Sequence, residues 1–346
     1  MCIRDRCTGM PGSLPVLNKK VVEYAAAVGL ATNCTITQDC KFDRKNYFYP
    51  DNPQNYQISQ LYLPICRNGH VDVTLSDGTE KTIRIHEIHM EEDAGKLVHD
   101  EWEGVSYVDY NRSGVPLIEI VSEPDMRSAE EVIAYLTKLR TTIQYLGASD
   151  CKLQEGSMRA DVNLSVRERG SSEFGTRTET KNLNSFAAIE RAIKAETARQ
   201  IDLIEAGEKV VQETRRWNDD KEYSYAMRSK EDAQDYRYFP DPDLVPIHIS
   251  DEYLAELKAK QPEFKDEKKV RYIEEFGLPE YDAEILTDSK KFTEIFEEAT
   301  AICNQPKKVS NWIMGETMRL MKEESAKTGR ESVSYTHLTL PTTSRV

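Results

Sequence analysis

The stretch Ser157-Met158-Arg159-Ala160-Asp161-Val162-Asn163-Leu164-Ser165-Val166-Arg167 alternates polar with apolar residues throughout. Successive side chains of a strand point to opposite faces, so this pattern predicts a strand with Met158, Ala160, Val162, Leu164 and Val166 on one face and polar groups on the other. Residues 174–181 repeat the idea, placing Arg177, Glu179 and Lys181 on one side. Working outward, 70–75, 81–90, 105–111 and 117–121 read as further strands. Alternation of this kind favours an antiparallel sheet with one face on a core and the other open.

Two helices are expected to cover the apolar face. Ser128 and Glu131 form an S-x-x-E capping box, Val132, Tyr135, Leu136, Leu139, Ile143 and Leu146 follow at helical spacing, and Gly147 is the stop. The second helix spans about 185–206, with Phe186, Ile189, Ile193, Ile201 and Ile204 on its expected inner stripe. A shorter helix, 19–29, follows the Gly9-Met10-Pro11-Gly12 loop. Beyond Asp241-Pro242-Asp243 and Pro246 the strand signals fade, and helices are expected over 251–260, 267–276, 289–303 and 308–324. The expected fold is α+β, a mainly antiparallel sheet with covering helices over residues 7–255, then the start of an all-α domain over 256–332.

The 60 acidic side chains outnumber 46 basic ones, for a net charge of −14 over 346 residues. Non-specific nucleic-acid binding needs a clustered positive field, so any such contact must be local or come from sequence outside this chain. Mean hydropathy is −0.63, and no apolar run approaches the ~20 residues of a bilayer-spanning helix, so no membrane role is expected. Seven scattered cysteines do not make a disulfide framework in a chain of this length and suit a reducing compartment.

The densest acidic candidate is His89-Met90-Glu91-Glu92-Asp93-Ala94-Gly95-Lys96. Glu91 and Glu92 are neighbours, so on a regular strand they face opposite ways and share an ion only if the strand ends or bulges there. Their hard oxygens suit Mg²⁺; a solvated acidic turn has the same signature. Glu155, Ser157, Arg159 and Asp161 would project together from the polar strand face, although an exposed face without function could carry the same mixture. Lys181-Asn182-Leu183-Asn184-Ser185 leads a strand end into a helix N-terminus, a natural phosphate position, while Asn184 or Ser185 could equally serve as the cap alone. Residues 41–51 and 235–240 interleave charges with aromatics, which suits nucleic-acid ends or packed cation–π loops. Glu119, between Leu117-Ile118 and Ile120-Val121, is expected to be buried and to need a partner or a function. His70, His86 and His248 show no metal-binding spacing, and neither a P-loop nor G-x-G-x-x-G is present.

The two ends carry a separate signal. Val333-Ser334-Tyr335-Thr336-His337 can be written GTC TCT TAT ACA CAT, and its reverse complement reads Met1-Cys2-Ile3-Arg4-Asp5. One oligonucleotide in opposite orientations would encode both, as a translated sequencing-library adapter would. Residues 1–6 and 333–346 are therefore expected to be foreign, with the natural protein continuing past both edges.

Several motifs can be taken together in order: Gly-Met-Pro-Gly-Ser-Leu-Pro-Val-Leu-Asn at 9–18, Lys-Phe-Asp-Arg-Lys-Asn-Tyr-Phe-Tyr-Pro-Asp at 41–51, Tyr-Gln-Ile-Ser-Gln at 56–60 and the acidic motif at 89–96. Asn-Arg-Ser-Gly-Val-Pro-Leu-Ile-Glu-Ile-Val at 111–121, Lys-Asn-Leu-Asn-Ser at 181–185 and Asp-Tyr-Arg-Tyr-Phe-Pro-Asp-Pro-Asp-Leu at 235–244 complete the set. In that order they resemble the GatB family, which belongs to the glutamine-dependent aspartyl/glutamyl-tRNA amidotransferases, and the resemblance runs from about Cys7 to Ser332.

It implies a cradle related to glutamine synthetase and guanidino kinases, then helical and tail domains that hold tRNA. It implies a heterotrimer with an amidase subunit (GatA) and a small subunit (GatC), in a bacterial-type cytoplasm, an organellar address being left open by the missing N-terminus. ATP and Mg²⁺ would serve to phosphorylate the side-chain carboxylate of Glu-tRNA(Gln) or Asp-tRNA(Asn), and ammonia from the amidase would displace phosphate. Carried onto this sequence, it implies Glu92 first and Glu91 beside it as Mg²⁺ ligands, with Glu155 and Ser157 at the metal–phosphate end. Arg159 and Lys181 would stabilise the transferring phosphate, Asn182 and Asn184 would lie at the nucleotide, and Lys41, Lys45 and Tyr56 would line the cradle or the ammonia path. Two departures stand out. A family segment Gly-Leu-Glu-Val-His, expected to supply metal ligands, is absent, and of the paired cysteines expected before the Gly-Met-Pro-Gly loop only Cys7 stands here, too few for a tetrahedral zinc site. The fragment is expected to be inactive by itself. Two other readings are a non-catalytic scaffold for amidase and tRNA, and a stand-alone ligase acting on free glutamate.

Overall fold

A computed structural model describes residues 3–100, 102–229, 235–321 and 323. The 333–346 stretch, residues 1–2 and positions 322 and 324 of the expected 308–324 helix lie outside them. The chain divides into two units, Met1–Gln261 and Pro262–Val346.

The first unit is built on a four-stranded antiparallel sheet in the order Thr35–Ile36, Cys66–Thr74, Glu80–Glu92, Pro116–Ser122. Its apolar face carries Val71, Val73, Ile83, Ile85, Ile88 and Met90, covered by the helices Lys19–Ala31 and Ala129–Leu146, with Asp251–Ala259 packed on the first of these. Each such side chain withdrawn from water contributes ~1.5–3 kcal/mol. The buried positions of the Glu80–Glu92 strand change parity between Ile85 and Ile88. Its pairing to Pro116–Ser122 shifts there too: Ile85 faces Ser122, but Glu87 faces Val121, so His86 is the extra residue of a bulge.

A second four-stranded sheet runs Val162–Leu164, Thr178–Lys181, Glu213–Asn218, Tyr223–Ser229. Its central pair, Thr178–Lys181 with Glu213–Asn218, is parallel, and the helix Phe186–Glu205 makes the crossover that a parallel pair requires. Leu183, Ala188, Ile189, Ala192, Ile193 and Trp217 form the core beneath it, and Leu136 of the Ala129–Leu146 helix touches both this core and the first. A three-stranded sheet, Phe239–Pro240, Asp43–Asn46, Tyr56–Ser59, stands over the end of the Glu80–Glu92 strand.

Several expectations are corrected. The 157–167 stretch is a strand only over Val162–Leu164. Gly156 turns the chain at φ +75°, and Ser157 folds back: its N–H donates to the Lys152 carbonyl at 3.1 Å, while its Oγ accepts from the Lys152 N–H at 2.9 Å and bonds Asp150. A serine whose hydroxyl satisfies nearby backbone competes with a strand ladder. Past Leu164, the Val166 N–H donates to the Gln200 side chain instead of to a strand. The Phe186–Glu205 helix starts at the Ser185 cap as expected, but Ile201 and Ile204 are 41% and 49% exposed, and Glu196 and Gln200 face inward in their place. At the helix Ala129–Leu146, Ser128 caps and Gly147 closes in the left-handed region. The Glu131 carboxylate, expected to return to the cap, goes to the Arg127 N–H and to Lys81 Nζ.

The described part of the second unit is helical: Lys265–Glu274, Glu280–Asp288, Lys290–Cys303 and Pro306–Trp312, the last continuing through a π-helical turn at Ile313–Thr317. Glu280–Asp288 is an additional helix that sequence periodicity did not mark. Tyr272, Phe296, Leu286 and Val309 are buried at its centre, with the Tyr272 and Phe296 rings 4.7 Å apart.

Candidate active site at the acidic end of the sheet

The bulge at His86 decides which side chains meet. Downstream of it, His89 lies directly across from Glu119 and Glu91 across from Leu117, so His89, Glu91 and Glu119 share the face opposite Ile88 and Met90. Their ligating atoms all lie within 4.8 Å of one another. Glu119 is not buried as expected: its side chain is 52% exposed, on the open side of the group. Glu92 faces the other way, where it accepts from the Ile58 N–H at 3.3 Å and pairs with Arg6. The structure therefore separates Glu92 from Glu91, as a regular strand end requires.

Glu91 is the most supported group of the cluster. The overlying strand Tyr56–Ser59 supplies Ser59 Oγ at 2.8 Å and Gln57 Nε2 at 3.2 Å, and Asp43–Asn46 supplies Lys45 Nζ at 3.5 Å. Burial alone would raise the Glu91 carboxyl, but His89, Lys45 and Ser59 hold it below its ordinary value. Burial would lower His89, yet Glu87 and Glu91, then the charge on Glu119, lift it to about 9. With no ion present, these carboxylates favour the protonated imidazole. Two neighbouring carboxylates, Glu91 buried and Glu119 open to solvent, fit a hard ion such as Mg²⁺, which takes one or two carboxylates and fills its shell with phosphate oxygens and water.

The remaining candidates fall in three places. Arg159 reaches Asp93, just past the strand end, with Nη2 at 2.8 Å and Nη1 at 3.3 Å, so it joins the acidic motif. Lys181 pairs with Asp161 at 2.7 Å and Glu179 at 3.3 Å; burial would lower its pKa, but these two carboxylates raise it. Glu155 instead pairs with Lys152 at 2.9 Å in the turn at 153–156, and Ser157 closes that turn. Glu155, Ser157, Arg159 and Asp161 therefore do not project as one row. Asn182, at φ +69°, donates to the Trp217 carbonyl at 3.0 Å; Ser185 caps the helix, and Asn184 is exposed.

Lys41 contributes its carbonyl, which accepts from Gln60 Nε2 at 3.2 Å while Gln60 Oε1 accepts from the Met90 N–H at 3.0 Å, tying the loop to the acidic strand. Tyr56 stacks under Arg44, 4.1 Å from guanidinium to ring centre, and Arg44 is held by Asp241 and Asp243. Lys45 lies 5.3 Å from the centre of the Tyr236 ring, whose segment is pinned by the Asn46 N–H to the Tyr236 carbonyl. Sequence patterns alone did not assign His89 or Tyr236 a place at the site. His89 was legible as the residue two before Glu91 on the same face; its pairing with Glu119 was not, because that depends on the bulge.

Residues 2–255 match the family described as the GatB/GatE catalytic domain. The chain is also similar to the GatB-type subunits of aspartyl/glutamyl-tRNA(Asn/Gln) amidotransferases from several bacteria. It is 99% identical over 325 residues to that of Lachnospira eligens, covering 94% of this chain and 67% of that protein. It is 76% identical over 317 residues to that of Agathobacter rectalis and 69% identical over 317 residues to that of Lachnoclostridium phytofermentans, each covering 92% of this chain and 66% of the relative. The chain thus spans about two thirds of the length of these curated relatives. Among the described residues, no helix is long and apolar enough to cross a membrane.

Proposed function

The chain belongs to the GatB/GatE catalytic-domain family, and from that premise we propose that it carries the carboxylate-activating step of a tRNA-dependent amidotransferase. The substrate is the aminoacyl side chain of Glu-tRNA(Gln) or Asp-tRNA(Asn). One of its carboxylate oxygens attacks the γ-phosphorus of ATP, the bond to the bridging oxygen breaks, and ADP leaves. Ammonia adds to the carbonyl of the acyl phosphate, loses a proton and expels inorganic phosphate, leaving the amide. In this reading the cradle is of the glutamine synthetase and guanidino kinase type, the helical unit and further domains hold tRNA, an amidase subunit supplies ammonia, a small third subunit completes the heterotrimer, and the complex works in the bacterial cytoplasm.

The observation that carries the reading is the convergence of Glu91, buried, and Glu119, open to solvent, on one face of the sheet, with Arg159 brought to the adjoining Asp93. Glu91 and Glu119 would hold Mg²⁺, which would supply neutralisation of phosphate charge. Lys45 and His89 keep Glu91 ionised for that task. Arg159 and Lys181 offer cations to the transferring phosphoryl group, where positioning and charge stabilisation do most of the work. Glu92, on the opposite face, supports the overlying strand through the Ile58 N–H.

The test is transamidation by the full-length protein assembled with its amidase and small subunit. Glu91→Ala should abolish amide formation while glutamine hydrolysis continues, and Glu92→Ala should retain more activity than Glu91→Ala. Full amide formation by Glu91→Ala would remove the metal assignment and favour a docking scaffold.

A further inference from the structure

Asp93 is held more firmly than a loop carboxylate needs to be. Its N–H donates to the Val115 carbonyl at 2.9 Å and its carbonyl accepts from the Gly114 N–H at 2.9 Å, so its backbone is fixed from both sides. Arg112 brackets the next two residues, donating from Nε to the Ala94 carbonyl at 3.1 Å and from Nη2 to the Gly95 carbonyl at 2.7 Å, with the same Nε 3.3 Å from Asp93 Oδ2. Gly95 in turn donates to the Asp51 carbonyl at 2.9 Å. Arg112 thereby offsets charge on a carboxylate that is 11% exposed and locks the turn that presents it.

On this anchored carboxylate sits Arg159, 45% exposed, engaged through both terminal nitrogens. That geometry fixes the plane of the guanidinium, whose donors form a rigid fork, and leaves its Nε edge for another anion. A loop lysine or arginine without such a partner would sample many rotamers.

The geometry assigns Asp93 as the positioning residue for Arg159, with Arg112 as the group that seats Asp93. The assignment rests on the phosphoryl-transfer reading above, because Arg159 must touch the transferring phosphate for its orientation to matter. Asp93 itself touches no reacting atom. It acts by holding Arg159 in the orientation required in the transition state, so its loss acts on kcat more than on KM for ATP.

The experiment is a double-mutant cycle in the full-length protein within its assembled complex, measuring ATP-dependent amide formation and glutamine hydrolysis side by side. Asp93→Asn should lower kcat for amide formation about tenfold with KM for ATP within about twofold, and should cost nothing further in an Arg159→Ala background. A wild-type kcat in Asp93→Asn, or a loss that adds in full to that of Arg159→Ala, overturns the assignment. Arg159→Ala at the wild-type rate sinks the phosphate role of Arg159 itself, and is distinguishable because it fails before the cycle is drawn. Should Asp93→Asn not assemble, Arg159→Lys serves instead: it keeps the charge but cannot make the two-pronged pair. A loss as large as in Arg159→Ala supports the assignment, and a wild-type rate overturns it.

Discussion

Replacing Glu196 with alanine should destabilise the first unit by an amount that can be worked out from its contacts. Glu196 is 2% exposed on the inner face of the Phe186–Glu205 helix. It accepts from Thr178 Oγ1 at 2.7 Å, Gln200 Nε2 at 2.8 Å, and Arg199 at 2.7 and 2.8 Å, and it lies 3.5 Å from Arg215 Nε. Removing one partner of a buried ion pair costs ~3–5 kcal/mol because the other charge is stranded. Here the lower end applies, since Arg215 keeps Glu213 and Ser224 and Arg199 is partly exposed and can hydrate. For a unit of this size each kcal/mol shifts the melting midpoint by ~2–4 °C, so ~3 kcal/mol corresponds to a fall of roughly 6–12 °C. Thermal unfolding followed by circular dichroism reads this directly, and Glu196→Gln, which keeps an acceptor without the charge, should fall between wild type and alanine. A midpoint for Glu196→Ala within about 2 °C of wild type would refute the reasoning, because the stranded-charge cost would then be absent.

Burial works to raise the Glu196 carboxyl, but Arg199, Gln200 and Thr178 hold it below the ordinary 4.5. A depressed carboxyl stabilises the fold above its unfolded value, and that contribution is lost as pH falls through the folded value; acid titration of stability below pH 4.5 should therefore be shallower in Glu196→Gln than in wild type. Gly69→Ala would drive a Cβ into Cys34 Sγ and to 2.7 Å from the Thr32 carbonyl, so it should destabilise by ~1–3 kcal/mol in a denaturant titration, with Gly78→Ala, at an open turn, as a comparison limited to backbone strain. Gly147→Ala puts a side chain at φ +71° at a helix end and should cost ~1 kcal/mol by the same assay. Arg84→Ala removes a well-formed but exposed pair with Asp125 and should change stability by less than ~1 kcal/mol.

Local signals were read well where local forces decide. Ser128, Ser185 and Gly147 mark helix ends because capping involves only a few adjacent residues. The strands at Cys66–Thr74 and Glu80–Glu92 follow from stretches of apolar alternation, and Pro116–Ser122 from a short apolar run. The 157–167 stretch alternates equally well, yet most of it is not strand, because Ser157 and Gln200 offer the backbone competing partners that alternation does not register. Ile201 and Ile204 misled for a related reason: the inward face of that helix is set by a polar network around Glu196, and an apolar stripe is blind to it. At the site, the acidic motif was visible as a string of letters, but which of its carboxylates meets Gln57, Ser59 and Lys45 depends on residues far along the chain. The link from Arg159 to Asp93 spans 66 residues and has no sequence pattern to announce it.

The irregular pairing at His86 acts as a parity switch. Were Ile85 opposite Ser122 and the ladder regular from there, His89 would fall opposite Ile118 and turn with Glu91 to the core side, while Ile88 would draw level with Glu119 on the open side. The same letters would then bury a carboxylate among isoleucines and leave an aliphatic seam facing outward. One supernumerary backbone unit, about three residues upstream and touching none of the groups it arranges, decides whether this end of the sheet is ionic or oily. Deleting His86 would remove the irregularity yet keep His89 opposite Glu119, so it is drawing His86 into the ladder, and not losing it, that would scatter the cluster.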